Sequence, residues 1–272
     1  MKLKEKIKAL LKYWKYGGKI TQLTLSQVSY GGVLKDKRIV VSGGSSGIGL
    51  AMARKFISEG ADVVITGRNK SKLDVAAKEL NSPRLKTLEW DVTGIDAIPQ
   101  KLNQCVELLG GGLDCFVNNA AFVEKRADSV LFWDISMDTN AKALYFISKG
   151  VVDIYLRRNN GNVGKILNVS SLSSYINNAN PYGISKTLVN RITKGFAKEY
   201  ASKNIIVNAI APGYVASSIN YQDVEENAYS GKNPLHRIIT PEDIAELACF
   251  LLSDASNAIV GQIIAVDGGS LL

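Results

Sequence analysis

The sequence predicts an α/β fold, a doubly wound parallel sheet of about seven strands, and three observations predict it. Short β-branched runs recur along the chain at Arg38–Ser42, Asp62–Thr66, Leu85–Glu89, Asp114–Asn118, Lys165–Ser170, Ile205–Ile210 and Gln262–Val266. Stretches of helical spacing separate them, such as Leu50–Glu59, Lys72–Leu80 and Pro241–Leu252. Several of the runs are apolar throughout, as a sheet covered by helices on both faces requires. Such a sheet places its ligand at the carboxyl ends of the strands, where the strand order reverses.

The first 36 residues stand apart from this pattern. Leu3, Ile7, Leu10, Leu11 and Trp14 recur at helical spacing with lysines between them, and Gly17-Gly18 follows. This is a short basic amphipathic helix followed by a linker. The expected organisation is an N-terminal extension at 1–36 and one domain at 37–272. Residues 1–38 hold ten Lys/Arg against Glu5 and Asp36, which accounts for the whole net charge of +8. The basic character therefore belongs to the extension, and nucleic-acid binding is not expected of the domain. Three readings of the extension stay open: contact of residues 1–16 with an anionic membrane surface, docking on a partner or sister subunit, or a basic tail. Docking ranks slightly ahead because the apolar stripe is short.

The remaining composition narrows the chemistry. The chain has 272 residues, 46% of them hydrophobic, enough for one large domain without a separate substrate domain. Cys105, Cys115 and Cys249 form no C-x-x-C pair, and His236 is the lone histidine. No disulfide framework or metal site is expected, and a Ser-His-Asp triad is disfavoured. No apolar run is long enough to span a bilayer. Ala9–Leu11 is too short for a signal-peptide core. A cytoplasmic location is the expectation.

The first strand runs directly into Ser42-Gly43-Gly44-Ser45-Ser46-Gly47-Ile48-Gly49 and then a helix. Gly43 suits a tight turn, Gly47 a close backbone approach to phosphate, and Gly49 close helix–strand packing. Free N–H groups and the dipole at the helix start would hold a diphosphate. The second strand ends Ile65-Thr66-Gly67-Arg68-Asn69, without the acid that would bind ribose hydroxyls. Arg68 suits a 2′-phosphate, so the expected cofactor is NADP(H). Asp91, after the third strand, would meet the adenine amino group or cap a helix.

Tyr182 and Lys186 lie four residues apart, on one face of a helix. A nearby ammonium is expected to lower the phenol pKa and equip Tyr182 for proton transfer. The preceding strand ends in Ser170 and Ser171, whose hydroxyls would face the crevice.

With these motifs in order, the sequence resembles the short-chain dehydrogenase/reductase family in its compact, single-domain, Rossmann-type form, over roughly residues 36–272. The pieces that match are Gly43, Gly47 and Gly49; Asn118-Asn119-Ala120-Ala121; Asn140; Ser171, Tyr182 and Lys186; Pro212-Gly213 with Ser217; and Asp267-Gly268-Gly269. The resemblance implies an oxidoreductase that moves a hydride between nicotinamide and a ketone/secondary-alcohol pair. Its catalytic set would be Asn140, Ser171, Tyr182 and Lys186, with Asn140 supporting a water path from the lysine. Its cofactor contacts would be Gly43, Ser45, Ser46, Gly47, Ile48, Gly49, Arg68, Asp91, Val92, Asn119, Ala120, Ala121, Tyr182, Lys186, Pro212, Gly213, Val215 and Ser217. Ala121 stands where the family has glycine, which predicts a tighter backbone near the ribose. The short interval between Ser171 and Tyr182 leaves Ser170 open as the catalytic serine. The family also implies a homodimer or homotetramer.

Residues 214–237 would form the substrate loop, with Tyr214, Tyr221, Tyr229 and His236. His236 reads as loop-lining and not catalytic. Asn233–Arg237 and Thr240–Ala245 resemble 3-oxoacyl-carrier-protein reductases, which implies a carbonyl or carrier-bound acyl substrate. Arg191, Lys194 and Lys198 would then meet an acidic carrier, or simply form a solvated helix face. Enoyl reductases space tyrosine and lysine more widely, which disfavours that reaction. The alternative from another class is a non-catalytic dinucleotide-binding scaffold.

Overall fold

Alternation within each strand explains why the strands are apolar on both sides. In the computed structural model, Ile39 and Val41 of the first strand join one buried cluster and Val40 the other. The structure describes residues 11, 13–14, 17–21, 28–123, 129–158, 161–176, 179–216 and 228–272. Strand β1 (Arg38–Ser42) is followed by α1 (Gly47–Ser58), β2 (Asp62–Gly67), α2 (Lys70–Leu80), β3 (Leu85–Glu89) and α3 (Ile98–Leu108). Then come β4 (Cys115–Asn118), α4 (Val130–Met137), a π-helical turn at Asp138–Lys142, α5 (Ala143–Arg158) and β5 (Gly164–Val169). The chain ends with α6 (Pro181–Tyr200), β6 (Ile205–Pro212), α7 (Pro241–Leu252) and β7 (Ile263–Val266).

The seven strands are all parallel, in the order β3-β2-β1-β4-β5-β6-β7. The order reverses between β1 and β4, so the crevice opens at their carboxyl ends. One core layer packs Met52 and Phe56 of α1 with Ile244 and Leu251 of α7 against the sheet. The opposite layer packs Leu102, Ile147 and Val151 against Phe116, Ile166 and Val207. Each such buried side chain contributes about 1.5–3 kcal/mol relative to an exposed one.

A buried polar chain runs through the second layer. Asn118 Nδ2 donates to Asn168 Oδ1 at 2.9 Å and to Ser148 Oγ at 3.1 Å, and Asn168 Nδ2 donates to Thr193 Oγ1 at 2.9 Å. It ties β4 and β5 to α5 and α6, which fixes the floor of the crevice.

Residues 28–36 lie against the domain. The Glu59 carboxylate accepts the backbone N–H groups of Tyr30, Gly32 and Val33 at 3.0, 3.1 and 3.4 Å, and Leu34 is fully buried. Residues 1–10 of the predicted amphipathic helix lie outside the described residues. Of the rest, Leu11 and Trp14 are exposed. No described helix is long and apolar enough to cross a membrane.

Candidate active site

The carboxyl ends of the strands open into a cleft of about 1030 Å³, at the upper end of the volumes typical of small-molecule sites. Its floor is built by the turn after β1. Gly43 has φ +67°, and a Cβ there would lie 2.8 Å from the Ala120 Cα. A Cβ at Gly49 would lie 2.3 Å from the Gly43 carbonyl oxygen and 2.6 Å from Asn119 Nδ2. Gly47 differs: its φ is +55°, yet a Cβ would meet nothing within 4 Å, so this stretch of backbone borders open space. Gly44, which the motif spacing does not single out, is as constrained as its neighbours, since a Cβ there would fall 2.7 Å from the Ile65 side chain.

Ser46 heads α1 without a side-chain hydrogen bond to the helix, so the first N–H groups are not capped from within. Asn119 locks the turn to β4: its Nδ2 donates to the Ser42 and Gly43 carbonyls at 3.1 and 2.9 Å. Ser42 Oγ accepts from the N–H groups of Asn119 and Ala120 and donates to the Val117 carbonyl. The role of Ser42 has no local sequence signal, because its partners are some 75 residues away. An uncapped helix start, a glycine turn with no room for side chains beneath it, and a long cleft fit a dinucleotide.

Along this cleft the structure brings together Gly43, Ser45, Ser46, Ile48, Arg68, Asp91, Val92, Asn119, Ala120, Ala121, Ser171, Tyr182, Lys186, Pro212, Gly213 and Val215. Gly47 and Gly49 shape the turn without lining the cleft, and Ser217 lies outside the described residues. At the β2 end Arg68 is joined by Lys72, a second cation that the sequence did not distinguish from other helix-surface lysines. Asn69 caps α2 between them, its Oδ1 accepting the Lys72 N–H at 3.0 Å. Neither Arg68 nor Lys72 forms an ion pair among the described residues. Asp91 accepts the N–H and hydroxyl of Thr93 at 3.0 and 2.8 Å while still bordering the cleft.

The two serines after β5 separate by their partners. Ser170 Oγ donates to Asn190 Oδ1 at 2.6 Å, turned into α6. Ser171 Oγ accepts the Ser173 N–H at 3.1 Å and shares the cleft wall with the Tyr182 phenol. Asn180 caps α6: its side chain accepts the Gly183 N–H at 2.6 Å, which sets Tyr182 in the first turn.

Lys186 Nζ donates to the Val169 carbonyl at 2.7 Å and lies 5.8 Å from the centre of the Tyr182 ring. The expected depression of the phenol pKa is not what the geometry produces. Burial pushes the Tyr182 phenol above its ordinary value, outweighing the opposing influence of the Ser171 hydroxyl. Burial also lowers Lys186 to about 8. The ammonium hydrogen-bonds a backbone carbonyl and not the phenol, so desolvation dominates both groups.

This has a measurable consequence for folding. The unfolded chain keeps Lys186 protonated to about 10.5, whereas the folded chain releases that proton near 8. Between those values the unfolded state binds more protons, so this lysine's contribution to stability rises with pH; below 8 its burial cost is constant. Urea unfolding of wild type and Lys186→Met should therefore diverge in favour of wild type by about 3 kcal/mol across this window. A constant difference would refute the assignment.

Asn140 sits in the π-helical turn, completely enclosed. Its amide accepts the Phe122 N–H at 2.8 Å and donates to the Phe122 carbonyl and Ser185 Oγ, both at 3.0 Å. It pins the chain leaving β4 to α6, and does not line the cleft. His236 is exposed at φ +53° and stacks on Tyr229, 5.8 Å between ring centres. Arg191, Lys194 and Lys198 are exposed on α6. Among the described residues no group of His, Cys, Asp or Glu could hold a metal. The three cysteines are free and buried, and burial pushes each thiol up to about 12.

Residues 43–270 match the family model described as enoyl-(acyl carrier protein) reductase. Gluconate 5-dehydrogenase of Gluconobacter oxydans (strain 621H) is 33% identical over 248 residues, spanning 87% of this chain and 95% of that protein. The 3-oxoacyl-[acyl-carrier-protein] reductase FabG of Thermotoga maritima is 33% identical over 252 residues, spanning 88% and 99%. The crystal structure of a short-chain type dehydrogenase/reductase from Mycobacterium marinum superposes with a TM-score of 0.78 at 31% identity, covering 87% of this chain and 96% of that one. The glycine turn, the parallel sheet and these relatives agree: the chain belongs to the short-chain dehydrogenase/reductase family, oxidoreductases that bind nicotinamide dinucleotides.

Proposed function

We propose that the protein is an NADP(H)-dependent oxidoreductase that interconverts a ketone and a secondary alcohol at Ser171, Tyr182 and Lys186. One observation carries the reading: a single cleft holds Ser171, Tyr182 and Lys186 toward β5 and, at the β2 end, Arg68 and Lys72, two cations that form no ion pair among the described residues. The turn Gly43–Gly49 and the start of α1 would hold the diphosphate. Asp91, Val92 and Asn119–Ala121 would border the adenosine half, and Pro212, Gly213, Val215 and Ser217 the nicotinamide half. Bound nicotinamide supplies the hydride in reduction and receives it in oxidation.

The residues then divide the proton work. Tyr182, neutral because it is buried, gives its proton to the substrate oxygen in reduction and takes it back in oxidation. Ser171 has its lone pair engaged by Ser173, which leaves its hydrogen to stabilise charge on that same oxygen. Lys186 lies behind the phenol, where it can pass a proton toward it and hold the nicotinamide ribose. Asn140 acts through Phe122 and Ser185, fixing the backbone on either side of the reacting centre. The four-residue interval from Tyr182 to Lys186 favours carbonyl over enoyl reduction. Carrier-bound 3-oxoacyl groups and small polar ketones both remain within this reaction. A second copy of the chain is the expected partner.

Arg68→Ala tests the cofactor assignment. The KM for NADPH should rise about 10–100-fold, as loss of a charge-assisted phosphate contact predicts, with the KM for NADH within twofold of wild type. Equal losses for both would refute contact with a 2′-phosphate.

A further inference from the structure

The substrate end of the cleft carries a cation that the reaction above does not use. Lys232 lines the cleft with Tyr214 and Ser270, and its Nζ rests 3.5 Å from the centre of the Tyr214 ring. Strand order sets where this is. Arg68 follows β2, whereas Tyr214 follows β6 and Ser270 follows β7, on the opposite side of Ser171 and Tyr182 at β5. At about 4.8 Å per strand, β2 and β6 are roughly 19 Å apart, so Lys232 does not serve the same ligand group as Arg68.

The lysine is placed by a rigid turn. Its N–H donates to Ser230 Oγ at 3.3 Å and its carbonyl accepts the Ser270 hydroxyl at 3.1 Å. The next residue, Asn233, is buried and spans the turn, donating to the Arg237 carbonyl at 2.7 Å, while Leu235 N–H donates to the Gly268 carbonyl at 3.1 Å. Among the described residues Lys232 forms no ion pair. Among the described residues the one acid that lines the cleft is Asp91, beyond β3 at the far end. An ammonium held on an aromatic face in the same cleft as Ser171 and Tyr182, with no carboxylate partner among the described residues, is a site for an anion.

We propose that Lys232 selects substrates that carry a carboxylate beyond the reacting carbon, making keto and hydroxy acids the preferred class. This rests on the carbonyl–alcohol reaction proposed above. Ser173, also on the cleft wall, offers a hydroxyl for a polar chain between carbonyl and carboxylate, and Ser270 Oγ, whose hydrogen is held by backbone carbonyls, offers an acceptor.

The test uses two matched pairs, each an acid and its neutral amide: 5-oxohexanoate and 5-oxohexanamide with NADPH, and gluconate and gluconamide with NADP. Wild type should favour the acid. In Lys232→Gln the KM for the acid should rise about 10–100-fold with kcat within twofold, and the amide should be unaffected. Lys232→Arg should restore most of the loss. Equal losses for acid and amide, or a loss confined to the KM for NADPH, would overturn the assignment. Calorimetric titration of the same acids into wild type and Lys232→Gln reads the anion contact without turnover. Acid binding that Lys232→Gln abolishes, in a wild type that turns over neither pair, would keep the anion site and reject the reaction. Acid binding that is absent from wild type, or equal in the two proteins, would reject the site.

Discussion

Tyr182→Phe should lower kcat about 10³-fold, within the range that general acid–base groups contribute, while NADPH binding measured by fluorescence stays within twofold. The substitution removes one oxygen from a buried ring that keeps its packing, so the fold should be unaffected. The phenol lies above its ordinary pKa because it is buried. Wild type should therefore reduce ketones at a steady rate through neutral pH, where the phenol is the acid. Alcohol oxidation needs the ionised phenol and should accelerate toward alkaline pH. Tyr182→Phe should lose that acceleration. A variant that keeps more than a tenth of the wild-type kcat would remove Tyr182 from the proton transfer.

Gly49→Ala should do its damage at the other end of the cleft. Asn119 Nδ2 donates to the Gly43 carbonyl across 2.9 Å, and a methyl at 49 would fall 2.3 Å from that carbonyl oxygen and 2.6 Å from that nitrogen. Both neighbours are held by the junction of β1 and β4, so α1 has to move. The expected loss is about 2–3 kcal/mol of stability, as for other overpacked sites, with NADPH affinity down at least 100-fold if the start of α1 holds the diphosphate as proposed. Gly47→Ala is the contrast. Its Cβ would enter open space, so the cost is the positive φ, about 1–2 kcal/mol. Equal stability in the Gly49→Ala variant and wild type would show that the turn relaxes freely.

Much of this molecule was legible in local sequence, for physical reasons. Strand and helix periods repeat within a few residues, so the seven strands could be placed to within one or two positions and the helix after the glycine turn to within three. Tyr182 and Lys186 share a helix face because of a four-residue interval, whatever surrounds them. The absence of an acid after β2, and the presence of Arg68, are likewise facts of adjacency.

What the sequence left undecided depended on groups distant along the chain or on the loss of water. Ser170 and Ser171 are equivalent as letters; Asn190, on the neighbouring helix, takes the first, while the second shares the cleft wall with Tyr182. The direction of the phenol shift reversed because desolvation, invisible in a motif, outweighs an ammonium beside the ring. Lys72 and Lys232 read as ordinary surface lysines until the order of the sheet placed one beside Arg68 and the other over Tyr214. Spacing along the chain determined which residues this protein has for its chemistry; burial and strand order, which join residues far apart in sequence, decided what each of them faces.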